Sequence, residues 1–211
     1  MGGMGGMRGM NMPGGMFMNM GGPMGGMMGG GAMGSSGRPR NQPPPMHVMP
    51  KGTSVVIRAL TKAPEHNGKT GRVVEWDQER GRYMVEYDGL ATPLALRPAN
   101  LTQLCSVEIA NIESQPELNG KWGEVCNFDE SSGRYKIRLL TKARSDRDIV
   151  AVLPGNIVLS KGTRVVLQGL SNEQFNGQMA QVLEVDRQAA RYSVQCQNGK
   201  HIKVKFENAI C

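Results

Sequence analysis

The sequence predicts an all-β fold, three small barrels in tandem behind a disordered head, and three observations predict it. A segment recurs three times: NGKTGRVVEWDQERGRYMVEY from Asn67, NGKWGEVCNFDESSGRYKIRL from Asn119 and NGQMAQVLEVDRQAARYSVQC from Asn176. Internal repeats fix an architecture more firmly than any local pattern. Apolar and polar residues alternate inside each copy as in half-buried strands, and no stretch carries a useful helical stripe. Composition also breaks sharply, because 14 of the 16 Met and 16 of the 29 Gly fall in the first 50 residues.

Residues 1–50 read as a disordered Met/Gly-rich, low-complexity segment. They hold no acidic residue and only Phe17 as an aromatic. Ordering so much Gly costs entropy that Met alone does not offset. Nothing in the chain reads as a signal peptide or as a bilayer-spanning run. Three modules follow, at residues 51–104, 105–159 and 160–211. Each opens on an apolar strand: SVVIRAL from Ser54, SVEIANI from Ser106 and RVVLQGL from Arg164. Each closes on a short motif: PANL from Pro98, PGNI from Pro154 and FENAI from Phe206.

Between these ends lie two more strands joined by a hairpin. RVVEW, EVCNF and QVLEV form the first of them, and the runs containing Tyr83, Tyr135 and Tyr192 form the second. The hairpins WDQERGRY, FDESSGRY and VDRQAARY place Gly81, Gly133 and Ala190 where a left-handed backbone is expected. Short strands with regular turns imply a barrel or sandwich, and at this size a barrel also removes exposed edges. The expected core is Val55, Ile57, Leu60, Val73, Trp76, Tyr83 and Val85 with their counterparts. The three tyrosine rings should be buried with the hydroxyl on a backbone group.

The pattern N-G-K-x-G-x-V…D…G-R-Y-x-V resembles the KOW motif of small SH3-like barrels. Gly68, Lys69, Gly71 and Val73 carry it in the first copy, and Gly120, Lys121, Gly123 and Val125 in the second. The third departs, with Gln178 for the Lys and Ala180 for the second Gly. With its closing P-x-N-L, the unit is also similar to a repeat common in dinoflagellate, diatom and other protist proteins, where it accompanies protein-interaction domains. The resemblance covers residues 51–210 and implies SH3-like barrels that bind protein or RNA. A fold of this kind does not set its function.

Net charge is +7, unevenly spread: +3 in the head, +2, −1 and +3 in the successive modules. The basic excess is interrupted by the acidic middle module, which weakens the case for a continuous nucleic-acid track. Cys105, Cys126, Cys196 and Cys211 show no zinc spacing. They read as free thiols, with Cys126 buried in the column of Val74 and Leu183. Free thiols fit a reducing, intracellular setting, cytoplasmic or nuclear. His47, His66 and His201 neighbour no nucleophile in a recognisable motif, and no phosphate-binding loop is present. The expectation is a non-enzyme with no cofactor and no metal.

Trp122 stands out. Its column holds Thr70 and Met179, so the fold does not require an aromatic there, and a loop indole is a good anchor for a partner. Other candidate contacts are Lys69, Arg72, Lys203 and Lys205, with Arg82, Arg134 and Arg191 of the G-R-Y and A-R-Y triads. Those three arginines suit phosphate or carboxylate, although the expected arrangement pairs each with Asp77, Asp129 or Asp186 across its hairpin. The leading functional expectation is a binding scaffold or adaptor for a protein or peptide, without membrane contact. RNA or ribonucleoprotein binding is the alternative, and a chaperone-like role of the GGM-rich head rests on composition only.

Overall fold

The computed structural model describes residues 44–140 and 148–211, in which the regular elements are strands and one-turn 3-10 segments. The expectation for the head therefore lies, over residues 1–43, outside the described residues. Its far end is structured: Val48 and Met49 are buried in a core, so packing begins before residue 51. Among the described residues no helix is long and apolar enough to cross a membrane.

The first sheet contains β1 (Ser54–Ile57), β2 (Thr70–Asp77), β3 (Arg82–Glu86), β4 (Leu94–Leu96) and β5 (Leu101–Gln103), in the order β4-β3-β2-β1-β5. The second contains β6 (Ser106–Ile109), β7 (Trp122–Asp129), β8 (Arg134–Leu139), β9 (Ile149–Val152) and β10 (Ile157–Leu159), in the order β9-β8-β7-β6-β10. The third contains β11 (Arg164–Leu167), β12 (Met179–Asp186), β13 (Arg191–Cys196), β14 (His201–Lys205) and β15 (Ala209–Ile210), in the order β14-β13-β12-β11-β15. All pairings are antiparallel.

The repeated residues make repeated bonds. The Asn67 carboxamide accepts from the Leu60 N–H and donates to the Leu60 carbonyl, at 2.9 and 3.0 Å. Asn119 does the same at Ile112, and Asn176 at Leu170. The asparagine of the closing motif braces the end of the first strand. Asn100 donates to the carbonyls of Arg58 and Ala59, Asn156 to those of Ala110 and Asn111, and Asn208 to those of Gln168 and Gly169. Those carbonyls flank a turn that holds Ala59 at φ 53° and Asn111 at φ 58°.

Gly71 and Gly123 are close-approach positions. A Cβ on Gly71 would lie 2.6 Å from the Glu86 carbonyl oxygen, and one on Gly123 only 2.4 Å from Cγ2 of Ile137. The hairpin position is left-handed in all three copies, at φ 61° for Gly81 and Gly133 and φ 49° for Ala190.

Each first hairpin also carries a bulge, between Val73 and Glu75, Val125 and Asn127, and Val182 and Glu184. The extra residues are Val74, Cys126 and Leu183, all half-buried. Cys126 therefore departs from the buried thiol expected of it, because a bulge residue leaves the inward-outward alternation. Cys105 is half-buried too, while Cys196 and Cys211 are buried. Of the expected core of the first module, Val55, Ile57, Val73, Tyr83 and Val85 are buried, and Leu60 and Trp76 pack against them partly exposed.

The three sheets are not beads on a string. The apolar residues of the second and third form one continuous cluster, and Met179 of the third joins the cluster of the first. The tyrosines are buried as expected, and their hydroxyls report how the modules interlock. Tyr83 accepts from the Met49 N–H at 3.0 Å. Tyr192 accepts from the Leu159 N–H at 2.9 Å and donates to the Ile157 carbonyl at 3.1 Å.

Met49 and Leu159 each lie just before a turn of matching sequence, Pro50-Lys51-Gly52-Thr53 and Ser160-Lys161-Gly162-Thr163. Only Leu104 and Cys105 separate β5 from β6, so this turn is missing ahead of the second sheet. Tyr135 takes its N–H from Cys211 instead, at 3.0 Å. The second and third modules thus cap each other: the end of β10 seats on Tyr192, and the residue after β15 seats on Tyr135.

Candidate functional site

The outer face of the second sheet gathers three exposed large apolar side chains, on its strands or at their ends. Trp122 opens β7 rather than sitting in a loop as expected, paired with Glu108 on one side. On the other side its carbonyl accepts from the Leu140 N–H at 2.9 Å. Trp122 is 46% exposed, Leu140 53% and Ile149 37%. Ile149 pairs with Arg138, two residues from Leu140, so period-2 alternation puts all three on one face. Arg138, Lys136 and Arg134 follow along β8 on that face, with Glu124 opposite Arg138.

The same position in the third module shows what such a site can do. Met179 is buried, and its sulfur accepts a hydrogen bond from the Tyr83 hydroxyl of the first module at 3.4 Å. One copy of this strand start is therefore already an inter-module contact, and the copy bearing Trp122 is left open.

The other candidate residues do not converge on Trp122. Lys69 precedes β2, and Arg72 lies exposed on β2 opposite Glu86. Arg191, Lys203 and Lys205 do come together: Arg191 pairs with Lys205, and Lys203 stands one step along on the same face of β13 and β14. Lys205 also meets Glu207 at 3.3 Å.

The expected cross-hairpin pairs of arginine with aspartate give way to other bonds. Arg82 donates to the Ala95 carbonyl at 3.0 Å, and Arg134 to that of Ala151 at 3.4 Å. The aspartates accept from the turn itself. Asp77 takes the N–H groups of Glu79 and Arg80, Asp129 that of Ser131, and Asp186 that of Ala189. Hydrogen bonds from Ser131 hold the Asp129 carboxyl below its ordinary range. A turn cap needs no arginine, and Arg82 and Arg134 instead reach the neighbouring strand, β4 or β9.

Two charged residues outside the candidate set join modules. Arg58 extends from the end of β1 over the Phe128 ring, 4.9 Å from its centroid, and pairs with Glu130. Burial lowers its guanidinium from its ordinary value. Arg187 grips Glu108 through two bonds of 2.9 and 2.6 Å, which hold the Glu108 carboxyl below its usual range. Arg187 lies in no motif that would have singled it out. Leu140 and Ile149 escaped sequence reasoning because they flank a stretch present only in the second repeat. Among the described residues no group of three or more His, Cys, Asp or Glu could hold a metal ion. No protein-family model and no curated protein matches the chain.

Proposed function

We propose that this chain is a non-catalytic binding scaffold of three SH3-like barrels, and that a protein or peptide docks on the outer face of the second barrel at Trp122. The observation that carries the reading is an indole 46% exposed at a strand start whose counterpart, Met179, is buried under another module. Exposed tryptophan is enriched among residues that dominate binding energy, particularly where neutral contacts surround it. Leu140 and Ile149 supply the apolar surround, and Arg134, Lys136 and Arg138 favour an acidic flank on the partner.

The test is recovery of partners from a cell extract on immobilised full-length chain, beside Trp122→Ala, with and without nuclease. The affinity of the recovered partner is then measured against both. A lost hot spot of about 2 kcal/mol weakens binding roughly thirty-fold, with the melting temperature nearly unchanged. A large fall in stability with unaltered binding assigns Trp122 to structure and ends the proposal.

A second reading, RNA binding, draws on the basic face of Arg191, Lys203 and Lys205. It requires nuclease-sensitive recovery and affinity that falls steeply with salt as counterions are released. Reversing Lys203 and Lys205 must then weaken it.

A further inference from the structure

Two cysteines meet where three strand ends converge. Cys105 lies in the short link between β5 and β6, and Cys211 follows β15. Their sulfurs are 3.9 Å apart, with the Cys105 thiol donating to Cys211. Cys211 is held from two sides: its N–H donates to the Tyr135 hydroxyl at 3.0 Å, and its thiol lies 3.5 Å from the same oxygen. The hydrogen bond from Cys105, then Tyr135 and the positive Arg58, draw the Cys211 thiol below its ordinary range. The bond to Cys211 and burial push Cys105 well up. Cys105 also borders a surface hollow of about 550 Å³, shared with Cys126, Glu124 and Arg138. A buried sulfur whose neighbours ease the loss of its proton thus stands against a second sulfur at the edge of a surface hollow.

We propose that Cys105 and Cys211 are a reversible dithiol site, which a small-molecule disulfide of the glutathione type converts into an intramolecular disulfide. Cys105, which borders the hollow, passes its proton along its bond to the deprotonated Cys211 and attacks one sulfur of the reagent, whose S–S bond breaks. The leaving reagent thiolate takes a proton from solvent, and Cys211 releases its own. The Cys211 thiolate then attacks the Cys105 sulfur, breaks the mixed disulfide and expels the second reagent thiolate. The two protein thiols lose two protons and two electrons, and the reagent disulfide becomes two thiols. The new bond ties the link ahead of the second sheet to the strand end that caps Tyr135. It closes a chain loop from residue 105 to 211, long enough for a large loss of unfolded-state entropy.

The test incubates the full chain across a range of reduced-to-oxidised glutathione ratios, alkylates the remaining thiols and maps the peptides. The expected product is one cross-linked peptide pair, Cys105 with Cys211, lighter by two hydrogens. The melting temperature should rise on the order of 10 °C and return with dithiothreitol. Cys126→Ser should keep both signals. Cys105→Ser, at a half-exposed position, should lose both while remaining folded. Mixed disulfides alone in fully oxidised buffer, a cross-link to Cys126, or an unchanged melting temperature in the cross-linked protein would each overturn the proposal.

Discussion

Tyr192→Phe isolates the bond by which one module caps the next. The ring is fully buried and packs on Phe206 with centroids 4.5 Å apart. Phenylalanine keeps that packing and removes only the oxygen. Two partners lose it: the Leu159 N–H at 2.9 Å and the Ile157 carbonyl at 3.1 Å, both on β10. Leaving a buried backbone group unpaired costs about 1–3 kcal/mol, so the substitution should destabilise the protein by about 2–4 kcal/mol.

Tyr83→Phe strips one backbone donor, Met49, and a sulfur contact. Its cost should stay near ~1–2 kcal/mol. Urea unfolding followed by far-ultraviolet circular dichroism gives both values. Hydrogen exchange at Leu159 gives the local one, which should accelerate in Tyr192→Phe and not in Tyr83→Phe. A Tyr192→Phe protein within about 0.5 kcal/mol of the parent, the range of an ordinary surface change, would mean that the hydroxyl does not couple the modules.

Two further substitutions probe the repeat at its tightest points. Gly123→Ala drives a methyl to 2.4 Å from Ile137 Cγ2 and 2.8 Å from the Arg138 carbonyl oxygen. It should cost about 3 kcal/mol in a denaturant titration, as overpacking against a fixed strand does. Ala190→Gly should do the opposite and raise the melting temperature. It removes a left-handed cost of ~1–2 kcal/mol and returns ~0.4–1 kcal/mol as unfolded-state freedom, so a lowered melting temperature would contradict the φ of 49°.

The strands were legible because each buried residue has two counterparts to confirm its column. Val73, Val125 and Val182 are all buried. The tyrosine hydroxyls were legible as backbone-bound, but the donors were not. Met49, Leu159 and Cys211 are chosen by linker length and by how modules face each other, neither of which a repeat alignment encodes. The triad arginines were misread for a related reason. Register does place Arg82 opposite Asp77, yet the turn N–H groups offer that carboxylate nearer partners. Trp122 could be read as exposed from its unlike counterparts, whereas Leu140 and Ile149 stand where the third copy has Gln197 and His201, across an insertion that hides the match.

The missing turn between β5 and β6 has a consequence for the order of events during synthesis. Tyr83 finds its partner 34 residues upstream, already made when the ring emerges. Tyr192 likewise looks back, 33 residues, to Leu159. Tyr135 looks forward 76 residues to Cys211. A growing chain can therefore make the backbone bond of its first module early, since domains fold as they emerge, and only Met179 is added later from the third. The second must wait, its tyrosine pocket open, until the third is almost wholly translated. Contacts of such long sequence separation also form slowly, so the second module is where a nascent chain stays longest in reach of chaperones and proteases.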